Sequence, residues 1–483
     1  QKTVILMSNT RTIMWFRQDL RLQDNPALAN AVACGEILPL YILDDVNPGE
    51  WKMGAASRWW LHESLSSLNE SLGNKLWVLK GDPALLLPKF IAAHAITNIV
   101  WNRGYEPWQV NRDIQLKADL SKLCAVDSFN GAMLWEPWTN LKGDGTPYRV
   151  FTPYYKNSIK TPPERTVVNV KPQAISLCEC TQPANKIDSL HLIPAVHWHL
   201  SLAQHWQPGE AGAFVQLEKF IDDGLANYKT GRDFPSLNTV SRLSPHLHFG
   251  EISPNQVWLT AMGQSANAPE HEIEHFQREL AWREFSYYLL YHFPTIPNQN
   301  LYSQFDRFPW LEDPQSLQRW QAGETGFPLV DAGMRELWQT GYMHNRVRMI
   351  VGSFLVKNML NHWLDGARWF WDCLVDADLA SNSAGWQWVA GSGADASPYF
   401  RVFNPHTQSL KFDGAGEYIK KYVPELKGLS GKDLHDPSSA PAIVLAGAGI
   451  TLDKDYPRAM LDLKQTRERA LQAYATIRKP KIS

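Results

Sequence analysis

The sequence predicts a two-part chain: an α/β N-terminal domain on a doubly wound parallel sheet, joined by a long linker to a large all-α C-terminal domain. Three observations carry this. Apolar runs alternate with helical patterns over 1–130, periodicity fades among prolines over 131–205, and over 206–483 almost every patterned segment is helical.

In the first part, "RTIMWF", "ILPLYIL", "KLWVLK", "NIVWNR" and "AVDSF" read as short buried strands. Between them "NPALANAVA", "AASRWWLHESLSSLNESL", "PALLLPKFIAAHA" and "VNRDIQLKADLSKL" have the apolar spacing of helices. Strand and helix in alternation imply right-handed crossovers and a parallel sheet. No GxGxxG follows the first strand and no GxxxxGK[ST] occurs, so this sheet lacks the usual phosphate signatures. The segment 131–205, with "KTPPERTVVNVKPQ" and "CTQPANK", reads as a surface-crossing linker. Cys178, Cys180, His197 and His199 fall in it, but CxC and HxH are poor spacings for tetrahedral zinc, and no metal site is expected. Beyond 206, "GAFVQLEKFIDDGLANY", "EIEHFQRELAWREFSYYLLYHF", "VDAGMRELWQTG", "HNRVRMIVGSFLVKNML" and "GARWFWDCLV" read as helices.

Composition narrows the class. No run of 18 apolar residues occurs, and no secretory leader is visible at the N-terminus, so the expectation is a cytoplasmic protein without a membrane span. Five scattered cysteines suit a reducing compartment. A net charge of −2 means that a polyanionic partner must be met by a local basic surface. The 21 tryptophans require a large aromatic core or a task for indoles.

Four stretches carry candidate chemistry. On a helix through "QRELAWREFSYYLLYHF", Glu279, Trp282, Arg283 and Ser286 share one face. That face is either a surface salt bridge of Glu279 with Arg283 or the wall of a polar cavity. In "GYMHNRVRMIVGSF", Asn345, Arg346, Arg348 and Met349 lie at a helix start suited to anions, with His344 a packed or capping side chain. In "NTVSRLSPHLHFGEIS", Thr239, Ser241, Arg242 and Ser244 form a hydroxyl-rich loop that could cradle a pyrophosphate or simply cap a helix. In "VDADLASNSAGWQW", Asp376, Asp378 and Asn382 offer hydrogen-bond acceptors on a small-residue segment that a flat ligand can approach. The space around Trp386 and Trp388 then belongs to a bound ring system, or to a close helix-helix contact.

These motifs, with "MWFRQDLRLQDNPAL", "TGFPLVDAGMRELWQTGYMHNRVRMIVGSFLVK" and "DADLASNSAGWQWVAGSGADASPYFRVFNP", resemble the DNA photolyase/cryptochrome family from end to end. The resemblance implies FAD in the helical domain and UV-damaged DNA as partner, in a monomer with no obligate protein partner. It places Tyr228, Ser241, Leu243 and Ser244 on the FAD phosphates with Arg283 beside them, and Asn345, Arg348, Asp376, Asp378 and Asn382 around the ribityl chain and flavin, Arg348 pairing with Asp376. Glu279, Trp282, Asn345, Arg346, Met349 and Trp388 would form the lesion pocket, and Arg401 would meet the DNA backbone. Glu279 would stabilise the dimer radical anion. Trp386, Trp363 and Trp310 match the family's electron-transfer chain. Two departures stand out: Val240 replaces the usual Thr of the phosphate loop, and Trp108-Gln109 follows Tyr105-Glu106 where folate-binding bacterial members often carry Asn-Glu.

"WREFSYYLLYHFP" and "FDRFPW" look closest to the class III bacterial enzymes, which implies 5,10-methenyltetrahydrofolate as antenna, with 8-hydroxydeazaflavin the alternative. The implied activity is light-driven splitting of cyclobutane pyrimidine dimers. A photosensory cryptochrome is the alternative, disfavoured by Asn382 and by the short tail. A (6-4) lesion photolyase is disfavoured by "MHNRVRM", where those enzymes place His pairs.

Overall fold

A computed structural model of the protein describes residues 10–163, 166–179, 183 and 185–478. Five parallel strands, β1 (Arg11–Phe16), β2 (Glu36–Leu43), β3 (Trp77–Lys80), β4 (Asn98–Asn102) and β5 (Ala125–Phe129), form one sheet in the order β3-β2-β1-β4-β5. The apolar runs end up buried because helices cover both faces: one layer packs on Met14, Phe16 and Tyr41, the other on Ile13, Trp15 and Leu40. The order reverses between β1 and β4, so a crevice opens at their carboxyl ends.

The segment after β5 departs from the expected surface crossing. Met133, Leu134, Trp135, Phe151, Tyr154 and Tyr155 are buried in the core of the helical part, and the helix Phe151–Ser158 packs there. Its aromatic residues supply the burial that its weak periodicity concealed. Only from about 166 onward does the connection run as short turns. Cys180 lies outside the described residues; among those described, no group of three or more His, Cys, Asp and Glu is placed to hold a metal. No helix among them is long and apolar enough to cross a membrane.

The helical part centres on the long helix Glu270–His292, which packs against Leu379–Ala390. Asp378 caps the second of these through the N–H of Ser381, and His344 caps Asn345–Ser353 through the N–H of Arg346. That third helix ends in a π turn over Phe354–Asn358. The caps matter because both lie beside the residues singled out in the sequence.

Candidate active-site cavity

A cavity of about 670 Å³ opens between these three helices. It brings together Glu279, Trp282, Asn345, Arg346, Arg348, Met349, Asp376, Asp378, Asn382, Trp386 and Trp388, which come from three separated stretches of sequence.

The deep wall is charged. Arg348 meets Asp376 at 2.8 Å, and the same carboxylate oxygen accepts the Ser244 hydroxyl at 2.6 Å. The other oxygen of Asp376 is buried without any partner. Asp378 accepts the N–H of Ser381 at 2.9 Å and the Tyr287 hydroxyl, and sits 3.0 Å from His248 Nδ1. Burial alone would raise its pKa, but His248 and these hydrogen bonds hold it below the usual carboxylate range. The Asn382 amide donates to the Ala367 carbonyl at 3.0 Å, which fixes its plane and leaves its own carbonyl oxygen uncommitted.

At the mouth, Glu279 pairs with Arg232, and Arg346 with Asp233 at 2.6 Å. The Trp282 ring is stacked on Phe151 at 3.9 Å and 9°, so its plane is set before any ligand arrives. Arg401 is exposed, and its carbonyl accepts from Lys357 at 2.9 Å.

Arg283 requires one correction, since the salt bridge with Glu279 that its spacing allowed is not formed and its side chain is not part of the cavity wall. It binds Glu284 at 3.0 Å and the Ala132 carbonyl at 3.2 Å. Glu279, Trp282, Ser286 and Leu289 face the cavity, and Arg283, about 100° round from Trp282, is carried toward the N-terminal sheet. Tyr228, Ser241 and Leu243 do not line the cavity either. Tyr228 is buried against Phe220 and Phe276, Leu243 is buried, and Ser241 accepts the Leu243 N–H at 3.3 Å, whereas Ser244 reaches the wall through Asp376. Arg232 was missed by sequence reasoning, although it stands one helical turn after Tyr228.

The Trp386 indole is buried, with Phe370 at 4.9 Å and Trp320 at 6.3 Å between ring centroids. A Cβ at Gly366 would come within 2.1 Å of it, whereas a Cβ at Gly385 would meet nothing within 4 Å. The close helix-helix contact at Trp386 is made possible by Gly366 of the neighbouring helix Trp363–Cys373, outside the small-residue stretch itself, whereas Gly385 of that stretch leaves room in the cavity. Trp363, one turn before Gly366, is fully buried, and the His362 ring lies 5.6 Å from Trp363 and 5.1 Å from the half-buried Trp310.

A smaller cavity of about 90 Å³ sits at the carboxyl ends of β1 and β2 and reaches His248 and Trp371 of the helical part. Trp108 lines it, donating to Glu106 at 2.5 Å beneath the Arg112 guanidinium. Burial and the nearby Asp378 charge push Glu106 up from 4.5 to about 7. The folded protein thus holds a proton between those values that the unfolded chain releases, so stability falls as pH rises from about 4.5 to about 7. Glu106→Gln is expected to flatten this slope in urea unfolding measured across that range. Glu284, also held up to about 7 by burial, keeps the remainder. An unchanged slope in the variant refutes the assignment.

Two family descriptions match the chain: "DNA photolyase" over residues 12–170 and "FAD binding domain of DNA photolyase" over 276–476. The deoxyribodipyrimidine photo-lyase of Agrobacterium fabrum is 45% identical over 97% of this chain and 98% of its own length. Cryptochrome-2 of Arabidopsis thaliana is 36% identical over 98% of this chain and 80% of its own. A crystal structure of a class III photolyase from Agrobacterium tumefaciens superposes with a TM-score of 0.95 at 43% identity, covering 99% of both chains. With these family descriptions and a relative 45% identical over 97% of its length, the chain belongs to the DNA photolyase family.

Proposed function

We propose that this protein is a deoxyribodipyrimidine photo-lyase that binds FAD in the large cavity and splits cyclobutane pyrimidine dimers in UV-damaged DNA under blue light. The observation that carries the placement is the buried, unpartnered oxygen of Asp376 in a wall already neutralised by Arg348. A buried acceptor without a donor fits a ligand that brings its own N–H or O–H, as the ribityl chain and flavin ring of FAD do. When bound, reduced FAD supplies the electron that opens the cyclobutane ring.

The chain's own groups bind and orient. Arg348, Asp376 and Ser244 form one wall, Asp378 and Asn345 another, and the uncommitted oxygen of Asn382 faces the ring edge. Tyr228, Ser241 and Leu243 take phosphate roles along the loop. Val240 lines a separate cavity on the other side of that loop. Trp282 and Trp388 clasp a dimer flipped out of the stack, Met349 fills the pocket between them, and Arg346 and Arg401 hold DNA phosphates. Trp386, Trp363 and Trp310 lead electrons inward from the surface. The small cavity at the sheet suits a folate stacked on Trp108, with 8-hydroxydeazaflavin the alternative. We place the protein in the cytoplasm as a monomer; the four free cysteines among the described residues suit a reducing compartment.

Glu279 hydrogen-bonds a base edge of the dimer, its carboxylate accepting from a ring N–H. Glu279→Gln is expected to lower repair yield per photon about tenfold, the value of one charge-assisted hydrogen bond, with flavin content unchanged. Repair of a defined thymine-dimer oligonucleotide in light and dark, with absorption spectra before and after illumination, tests the whole reading. Flavin photochemistry without repair would favour a cryptochrome, and an unchanged Glu279→Gln yield would remove that residue from the mechanism.

A further inference from the structure

A second polar cavity, of about 280 Å³, lies across the loop 239–243 from the large one. The chain separates the two. Val240, Arg242 and His344 line this cavity, while Ser244, Asn345, Arg346 and Arg348 serve the other. Nothing in the repair reading uses it.

Two of its donors, Arg242 and His344, have no acceptor among the described residues. Arg242 adopts a left-handed backbone, φ 52°, and its guanidinium stacks over Trp206 at 4.4 Å and Tyr342 at 4.9 Å. It forms no ion pair or side-chain hydrogen bond among the described residues. His344 Nδ1 accepts the Arg346 N–H at 3.2 Å, so the proton of the neutral ring sits on Nε2, which is buried without a partner. Burial together with Arg348, Arg232 and Arg346, opposed by Asp233, brings the pKa of this ring down to about 4 and keeps it neutral. Two carboxyls face the cavity. Glu336 is occupied by the His344 N–H and the Tyr418 hydroxyl and is shifted by burial toward its neutral form; Glu417 lies at the edge. Against them stand Arg242, Lys219 and Lys421, with His205 held toward neutrality by burial and its cationic neighbours.

We propose that this cavity is a second anion site, for inorganic phosphate or the phosphate of a mononucleotide. An Arg fork and a fixed N–H match several oxygens of a tetrahedral anion, while the two lysines balance its charge. The volume exceeds that of a lone phosphate, and Tyr418 and Tyr422 wall the remainder, where an attached nucleoside fits.

The test is calorimetric titration of the flavin-loaded full chain with inorganic phosphate, and separately with AMP, at constant ionic strength. One saturable site is expected, with AMP binding tighter if a nucleotide is the natural occupant and no tighter if phosphate itself is. Arg242→Gln should weaken binding about tenfold or more. The exposed Lys219→Gln and Lys421→Gln, which leave folding intact, should each weaken it about twofold to fivefold. Arg346→Gln, in the large cavity, should leave it unchanged. Absence of saturable binding in the millimolar range overturns the proposal. So does binding that survives both lysine changes and disappears with Arg346→Gln.

Discussion

The Arg348→Leu variant is expected to purify without flavin. Arg348 is the only cation paired with Asp376 among the described residues, and the Asp376 side chain is 4% exposed. Removing the guanidinium strands a buried carboxylate whose remaining donor is the Ser244 hydroxyl. Breaking a buried pair in this way costs about 3–5 kcal/mol, which converts to roughly a hundredfold to several thousandfold in equilibrium terms. Arg348 also donates to the Met343 carbonyl at 2.6 Å, so the turn before Asn345 loosens with it. Arg348→Lys keeps the charge but not the fork and should fall between the two. Flavin-to-protein absorbance ratios, followed by fluorescence titration with added FAD, give the measurement. A stoichiometric flavin content in Arg348→Leu would refute this account of the wall.

Trp282→Ala and Trp388→Ala form the second test, on dimer recognition. Stacking of a base on an aromatic side chain is worth about 1–3 kcal/mol by alanine substitution. Each change should therefore weaken binding to a dimer-containing oligonucleotide by about one to two orders of magnitude. Affinity for undamaged DNA should hardly move, because phosphate contacts dominate it. Arg401→Gln should do the opposite, weakening both substrates equally and reducing the salt dependence. Trp282→Ala carries an additional stability loss because Phe151 loses its stacked neighbour. Fluorescence anisotropy at fixed and varied salt separates these effects. Equal losses on damaged and undamaged DNA for the tryptophan variants would place both indoles outside the lesion pocket.

Much of this is legible in the sequence. The five strand segments were recognisable because parallel strands covered on both faces read as continuous apolar runs, as "ILPLYIL" does in β2. The pairing of Arg348 with Asp376 was also anticipated. The burial of 133–135 and of the helix Phe151–Ser158 on one face was not, since Trp135, Phe151 and Tyr154 are buried through contacts with distant helices, and no local period records those contacts.

The sequence by itself determined the five strands and the clearest helices in their order, because helical spacing and capping act within a few residues of one another; that Glu279, Asn345, Asp376 and Asn382 gather at one site was what the family resemblance implied. Tertiary structure decided partners and directions. Glu279 takes Arg232 rather than Arg283, since the rotation of the helix Glu270–His292 about its axis is set by what it packs against. Likewise Val240 and Arg242 face one cavity while Ser244 serves another. A loop's two sides become distinct environments only when other elements close over each of them, and linear spacing carries no term for that.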